Sequence, residues 1–246
     1  VAFGISGSAK NSFIQNNQIT NFRGDGIRSL GDYTVVEYNI IKNCYNVDDN
    51  HDDGFQSWSV GADGKVGTGQ VVGGILRGNV IINQEDPAQQ LSGPLQGIGM
   101  FDGTFVDWVI ENNLVVVNHW HGISLYGVKN SRVVNNTVVS LDGSTVGPPW
   151  IKLTAHKDGT LPTGNLVKNN LTTDLASSAS GVTLETNVVV KDPKTYFRDT
   201  TKFDYRLKVG ASAHDAGTQP NSPIIDILGV ARMNGPVDVG AYDGAN

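Results

Sequence analysis

The sequence predicts an all-β chain wound as a parallel β-helix, a solenoid finished by a C-terminal capping segment. Three observations carry this: the composition, a recurring Asn phrase and a recurring Gly phrase. Of 246 residues, 30 are Gly and only 17% are charged, against ~7% and ~25% in ordinary domains. Helix bundles and coiled coils, which live on Glu, Lys, Ala and Leu, are disfavoured. Disorder is disfavoured too, because short apolar runs recur throughout. No stretch approaches the ~18 apolar residues of a membrane span. The net charge is −6 with 18 basic residues thinly scattered, so the basic stripe of a nucleic-acid binder is missing. Cys44 is the single cysteine; it excludes an internal disulfide and reads as a small buried apolar residue.

The Asn phrase is a polar residue and an Asn ahead of a β-branched run. Its Asn positions are Asn17, Asn39, Asn79, Asn113, Asn136, Asn170 and Asn187, with spacings of 22, 40, 34, 23, 34 and 17. The shorter spacings of 22 and 23 give the bare repeat, and the longer ones carry loops. The Gly phrase interleaves with it. It reads Gly4-Ile5-Ser6, Gly26-Ile27-Arg28, Gly54-Phe55-Gln56, Gly97-Ile98-Gly99 and Gly122-Ile123-Ser124, then Trp150-Ile151-Lys152 and Gly181-Val182-Thr183. A unit of ~22 residues holding two or three short strands is a solenoid coil, whose apolar face is covered only by its neighbours. Stacking sets equivalent residues ~4.8 Å apart, so the seven Asn are expected to hydrogen-bond in a ladder. The glycosylation sequons at Asn135 and Asn170 fall on that ladder and are read as structural.

The series fades after Asn187. Residues 1–190 are expected to form the β-helix, with earlier coils missing ahead of Val1, and residues 191–246 a tail packed on it. A solenoid end exposes core and strand edges, so the tail is expected to cover one. Its closing phrase, Asp238-Val239-Gly240-Ala241-Tyr242, resembles the tail of many secreted bacterial β-helix proteins. That resemblance implies a bacterial or phage protein acting outside the cytoplasm, extracellular or periplasmic.

Alternation assigns faces. The residue after each Gly points inward: Ile5, Ile27, Phe55, Ile98, Ile123, Ile151, Val182. Two residues on, Met100, Leu125, Leu153 and Leu184 also point inward. Outward stand Ser6, Arg28, Gln56, Gly99, Ser124, Lys152 and Thr183, then Trp58, Phe101, Tyr126, Thr154 and Glu185. The turn leading into this sheet carries Asp25, Asp53, Gln96 and His121 at one equivalent position. Long loops beside it suit groove walls on a rigid scaffold.

Asp48, Asp49, Asp52 and Asp53 repel one another unless something positive sits among them. With Glu85 and Asp86 in the next coil's loop, Asp48, Asp49 and Asp52 are candidate Ca²⁺ ligands; the alternative is a solvated acidic turn. His51, beside Asp53, and His121 are acid–base candidates, against the plainer reading of surface and turn histidines. Gly122 is expected to leave room for a ligand at the backbone. A Tyr126 hydroxyl can deliver a proton and Lys152 can neutralise a carboxylate, unless both merely decorate a wet face. Arg28, Gln56, Trp58, Phe101, His119 and Trp120 are candidate substrate-binding residues. Covering the long loops accounts for the aromatics equally well. Asp102 opens a turn phrase and is read as structural.

Asp53-Gly54-Phe55 and His121-Gly122-Ile123 are each followed by an alternating strand and an Asn phrase. They resemble coils of alginate C-5 epimerases and, more broadly, the β-helix polysaccharide lyases and epimerases. The resemblance implies a right-handed coil and places Asp53 and His121 in a reaction centre. The epimerase phrase Asp-Pro-His-Glu is missing, with Asn50-His51-Asp52-Asp53 standing nearest, and an extra coil at Gln96–Met100 separates the matching ones.

The implied chemistry removes the proton α to a uronate carboxylate. The carboxylate is first neutralised by Lys, Arg, a protonated acid or Ca²⁺. A base then takes the C5 proton. Breaking the C4–O bond makes a lyase; reprotonation from the other face makes an epimerase. His121 is expected as base and Tyr126 as donor to the leaving oxygen. Lys152 and Arg28 would neutralise charge, and Gln56 and Trp58 would hold the sugar. An acidic polysaccharide is the expected partner, and no organic cofactor is expected. Two other readings stay open. A glycoside hydrolase needs paired carboxylates ~5–5.5 or ~6.5–9.5 Å apart, which Asp53 with Asp52, Asp102 or Glu85 would supply. A non-catalytic glycan-binding or phage-type fibre module would use the aromatics alone.

Overall fold

The computed structural model describes residues 3–141, 147–177, 180–232 and 236–244; the expectation about Val1 lies outside them. The chain climbs through three parallel sheets of seven strands each. The groove sheet comprises Ile5–Gly7, Ile27–Ser29, Asp53–Trp58, Gln96–Asp102, His121–Tyr126, Trp150–Thr154 and Asp174–Leu175. A second sheet and the Asn sheet complete every coil.

Both phrases have local causes. The residue ahead of each ladder Asn (Asn16, Tyr38, Gly78, Asn112, Asn135, Asn169, Thr186) has φ between 48° and 63°. This left-handed bend turns the chain out of the second sheet, and Asn and Gly adopt it most readily. The ladder forms as expected: each Asn Nδ2 donates to the next coil's Asn Oδ1 at 2.9–3.0 Å, from Asn17 to Asn187. From Asn39 on, the same amide also donates to a backbone carbonyl, so these polar side chains inside the wall are satisfied. The recurring Gly has a steric cause. A Cβ on Gly26, Gly54, Gly97 or Gly122 would overlap Ile41, Ile81, Val115 or Val138, which reach across the narrow coil from the Asn sheet. Gly122 is therefore filled space, not the ligand approach its sequence position suggested.

The core is one continuous column containing Ile27, Phe55, Ile98, Ile123 and Ile151 of the groove sheet. The last coil departs from the expected register. Val182–Glu185 belongs to the second sheet, paired with Asn165–Lys168, and Leu175 continues the groove-sheet column after Ile151. With only 17 residues between Asn170 and Asn187, the chain crosses the groove sheet in a two-residue strand, Asp174–Leu175. Thr183 and Glu185 thus leave the groove face, and Leu184, expected inside, is 44% exposed.

The tail lies along a flank rather than over an end. Ile82, Leu114, Val116, Val139 and Leu171, on the outer face of the Asn sheet, pack with Phe197, Tyr205, Leu207, Val239 and Ala241. Backbone and side-chain bonds tie it down: Gly240 N–H to the Asn169 carbonyl at 2.8 Å, Ala241 N–H to Thr137 Oγ1 at 3.0 Å, and Arg232 Nη2 to Asn112 Oδ1 at 3.1 Å. Cys44 is buried as expected, and burial, with Asp52 beside it, holds its thiol well above the usual range.

Candidate active site

The parallel register sets Arg28, Gln56, Gly99, Ser124 and Lys152 on successive rungs of the outer groove face. That row spans about 19 Å at ~4.8 Å per rung. Its middle holds a cleft of about 400 Å³ lined by His51, Asp53, Gln56, Gln96, Phe101, Asp102, His119, Trp120, His121, Tyr126 and Lys157. A smaller depression of about 250 Å³ continues it, sharing His51 and Gln56 and adding Phe3, Asp25, Arg28 and Asp49. Eight of the residues expected at the site meet in the cleft, Asp53 and His121 among them.

Aromatic contacts build its wall. A register shift between Gly99 and Asp102 bulges the strand at Phe101. The Phe101 ring lies edge-on to His121 at 4.8 Å and to Tyr126 at 5.2 Å between centroids. His119 stacks on His121 at 5.1 Å, and Trp120 on Trp150 at 6.4 Å. His121 Nδ1 lies 2.8 Å from Ser124 Oγ, which accepts the Trp150 indole N–H at 2.9 Å. The His121 backbone N–H donates to His119 Nδ1 at 3.1 Å.

Burial and neighbours set the charges. Asp53 is fully buried; Gln56 donates to its Oδ2 at 2.9 Å, and its Oδ1 has no partner. Burial, with Asp25 and Asp52 nearby, raises its pKa well above the usual carboxylate range. Burial lowers His121 to about 4, helped by His119, Lys152 and His51. Burial also lowers His119 and raises Tyr126, the latter opposed by Lys157. Asp102 is paired with Lys157 at 2.5 Å.

Other expected residues lie beside the cleft. Arg28 is held by Asp25 at 2.8 Å through Nε, and its guanidinium lies between the Phe3 and Trp58 rings at 4.0 and 4.5 Å. Lys152 rests its ammonium 4.6 Å from the Trp150 ring centroid. Gln96 and Lys157 were not expected as site residues. Gln96 shares the Asp53 position one rung on, which was the signal for it. Lys157 sits in a loop outside both phrases, where no register signal exists, and Asp102, read from its turn phrase as structural and otherwise only as a hydrolase partner of Asp53, lines the cleft.

The five acids expected to hold Ca²⁺ do not come together. Asp48 pairs with Arg23, Glu85 with Lys42, and Asp86 accepts the Ala88 N–H. Asp52 is buried and accepts the Gly24 N–H at 2.9 Å, while Asp49 is exposed in the smaller depression. Asp48, Glu85 and Asp86 have local partners, Asp49 is solvated and burial raises the Asp52 pKa, so proximity in sequence did not become a ligand set. Asp25, Asp52 and Asp53 are hard oxygen donors suited to Ca²⁺, yet they form no set with ligand spacing. Among the described residues only His214, Asp215 and Asp238, in the tail, have such spacing. The acids at the cleft lack that spacing.

No curated protein matches the sequence. Among solved structures, that of pectate lyase Pel9A is similar over 98% of this chain and 69% of its own, with a TM-score of 0.50 and 14% identity. At that identity the likeness concerns the fold. The profile described as "Right handed beta helix region" matches residues 2–147, more than half the length. With its rungs, Asn ladder and groove, the chain belongs to the right-handed β-helix family.

Proposed function

We propose that the cleft binds and cleaves an acidic, uronate-containing polysaccharide by β-elimination, outside the cytoplasm. One observation carries the reading: Asp53 and His121, on coils separated by the Gln96 coil, line a single cleft together with Tyr126. The groove runs along the helix axis across several rungs, as a polymer requires. Its carboxyl groups do not repel a uronate, because Asp53 is driven toward its neutral form and Asp102 and Asp25 are paired with cations. No helix among the described residues is long and apolar enough to cross a membrane.

The reaction needs a carboxylate partner, a base for the C5 proton and a donor for the leaving oxygen. Tyr126, kept protonated by burial, gives its proton to that oxygen as the C4–O bond breaks. The imidazoles of His51 and His121 divide the other two tasks, with Lys152 adding positive potential. Trp120, 51% exposed and stacked on Trp150, offers a sugar platform. A hydrolase is less well served, because Asp52 and Glu85 are committed elsewhere and Asp102 is, among the described residues, the only other carboxyl group lining the cleft.

Incubation with alginate, polygalacturonate and glycosaminoglycans, each with Ca²⁺ and with a chelator, tests this. Absorbance from an unsaturated uronate is expected, and His121→Ala is expected to lose at least 100-fold in turnover, at the lower end of general acid–base contributions. New reducing ends without that absorbance would mark a hydrolase, an altered C5 ratio at constant length an epimerase. No change with any polymer would sink the enzymatic reading.

A further inference from the structure

We infer that Ser124 and the His121 backbone amide lock the His121 and His119 side chains as neutral Nε2–H tautomers, so that both imidazoles offer the cleft a proton donor rather than a lone pair. The argument is an accounting of protons. The Trp150 indole nitrogen is a donor only, and its hydrogen is committed to Ser124 Oγ at 2.9 Å. Ser124 is fully buried, and its own hydroxyl proton has one acceptor among the described residues, His121 Nδ1 at 2.8 Å. Nδ1 must then carry the lone pair, which leaves the hydrogen on Nε2. The reverse tautomer would direct two donors at Oγ and strand the serine proton in a dry site. His119 is fixed independently: a backbone N–H is always a donor, and that of His121 reaches His119 Nδ1 at 3.1 Å. The surroundings agree: burial disfavours imidazolium at both rings, and His119 and Lys152 oppose it further at His121.

This changes the division of labour in the lyase reading, on which the catalytic half of the inference rests. A neutral imidazole with its proton on the exposed nitrogen does not act as base there. It hydrogen-bonds a carboxylate and stabilises the extra charge that develops when the α proton leaves, as a neutral histidine polarises a carbonyl elsewhere. His121 therefore binds the uronate carboxylate, beside His119. The C5 proton passes to the lone pair of His51, the Tyr126 proton passes to the departing O4, and solvent returns a proton from His51 to Tyr126. Ser124 is a positioning residue, acting through His121.

Nitrogen-15 NMR of histidine-labelled protein near neutral pH reads the tautomers directly and requires no turnover. His121→Gln and His119→Gln identify the two rings by loss of their signals. The expected result is an unprotonated Nδ1 and a protonated Nε2 for both. Trp150→Phe keeps the ring and removes the indole donor, which should let the Nδ1–H form of His121 appear; Ser124→Ala should do the same. A protonated Nδ1 on His121 in the unaltered protein, or an unchanged tautomer in both variants, overturns the inference. Kinetics separates donor from base: His121→Gln keeps an N–H and should retain at least 10-fold more turnover than His121→Ala, whereas equal losses would return His121 to the role of base. Absence of turnover on every polymer would remove the lyase reading and leave the tautomer result standing.

Discussion

At Asp53 and His121 burial sets two opposite responses to pH. The imidazole is lowered from 6.5 to about 4, so between those values the unfolded chain binds a proton that the folded chain does not. Stability therefore falls as pH falls through that window. The Asp53 carboxyl is raised above 3.8, so the folded chain keeps a proton that the unfolded chain has lost. Its effect is a loss of stability as pH rises above 3.8, complete once the raised value is passed. His121→Phe is expected to flatten the decline in melting temperature between pH 6.5 and 4, recorded by thermal unfolding across that range. Asp53→Asn keeps the shape and removes the titration, and should raise the melting temperature more at neutral pH than near pH 4. A melting temperature that falls at neutral pH in Asp53→Asn would show that the charged form is the native one. Gly99 belongs to the same balance. A Cβ there would overlap Asp53 Oδ1 and the Phe101 ring, so its missing side chain is what leaves room for the buried acid.

At the scale of one coil, stability depends on how closely two walls approach. Gly97→Ala would drive a methyl group into the Gly122 carbonyl of the next coil and into Val115. Overpacking of this kind costs about 1–3 kcal/mol, and chemical denaturation should report that loss. Gly7→Ala, where nothing stands within 4 Å, serves as the control and should change stability by less than about 0.5 kcal/mol. The same closeness made the coil legible in the sequence. Gly and Asn each answer a constraint that recurs at every rung, so their spacing announced the rungs, the ladder and the row from Arg28 to Lys152. The shortened final coil broke the spacing, and the Gly181-Val182 phrase there marked a strand of a different sheet. The site was legible where it sat on that register, as with Asp53, Gln56 and His121. It was not legible where a side chain arrives from a loop, as Lys157 does, or where acids crowded in sequence find separate partners, as Asp48 and Glu85 do.

Across the whole molecule the tail decides whether the Asn sheet can face water. Val80–Ile82 and Leu114–Val117 are apolar at consecutive positions, a pattern that belongs to strands buried on both faces. One face fills the coil, and the other lies under Phe197, Tyr205 and Ala241. Those runs are the sequence's own record of a covered flank, although the tail's final phrase drew attention to the solenoid's end. Arg232 fastens the cover: its side chain is fully buried, with Asp243 at 3.0 Å and the Gly240 carbonyl at 2.9 Å. Ending the chain after Val190 should therefore strip an apolar stripe four strands long, from Ile82 to Leu171. Stripes of that kind drive association or misfolding. The shortened chain is expected to bind a hydrophobic dye strongly and to lose its single sharp unfolding transition. Ile224→Ser, on a side chain 82% exposed, should leave both unchanged. A shortened chain that stays monomeric, dye-silent and cooperative would mean that stacking of the rungs alone sustains the fold, with the tail resting on a surface able to stand in water.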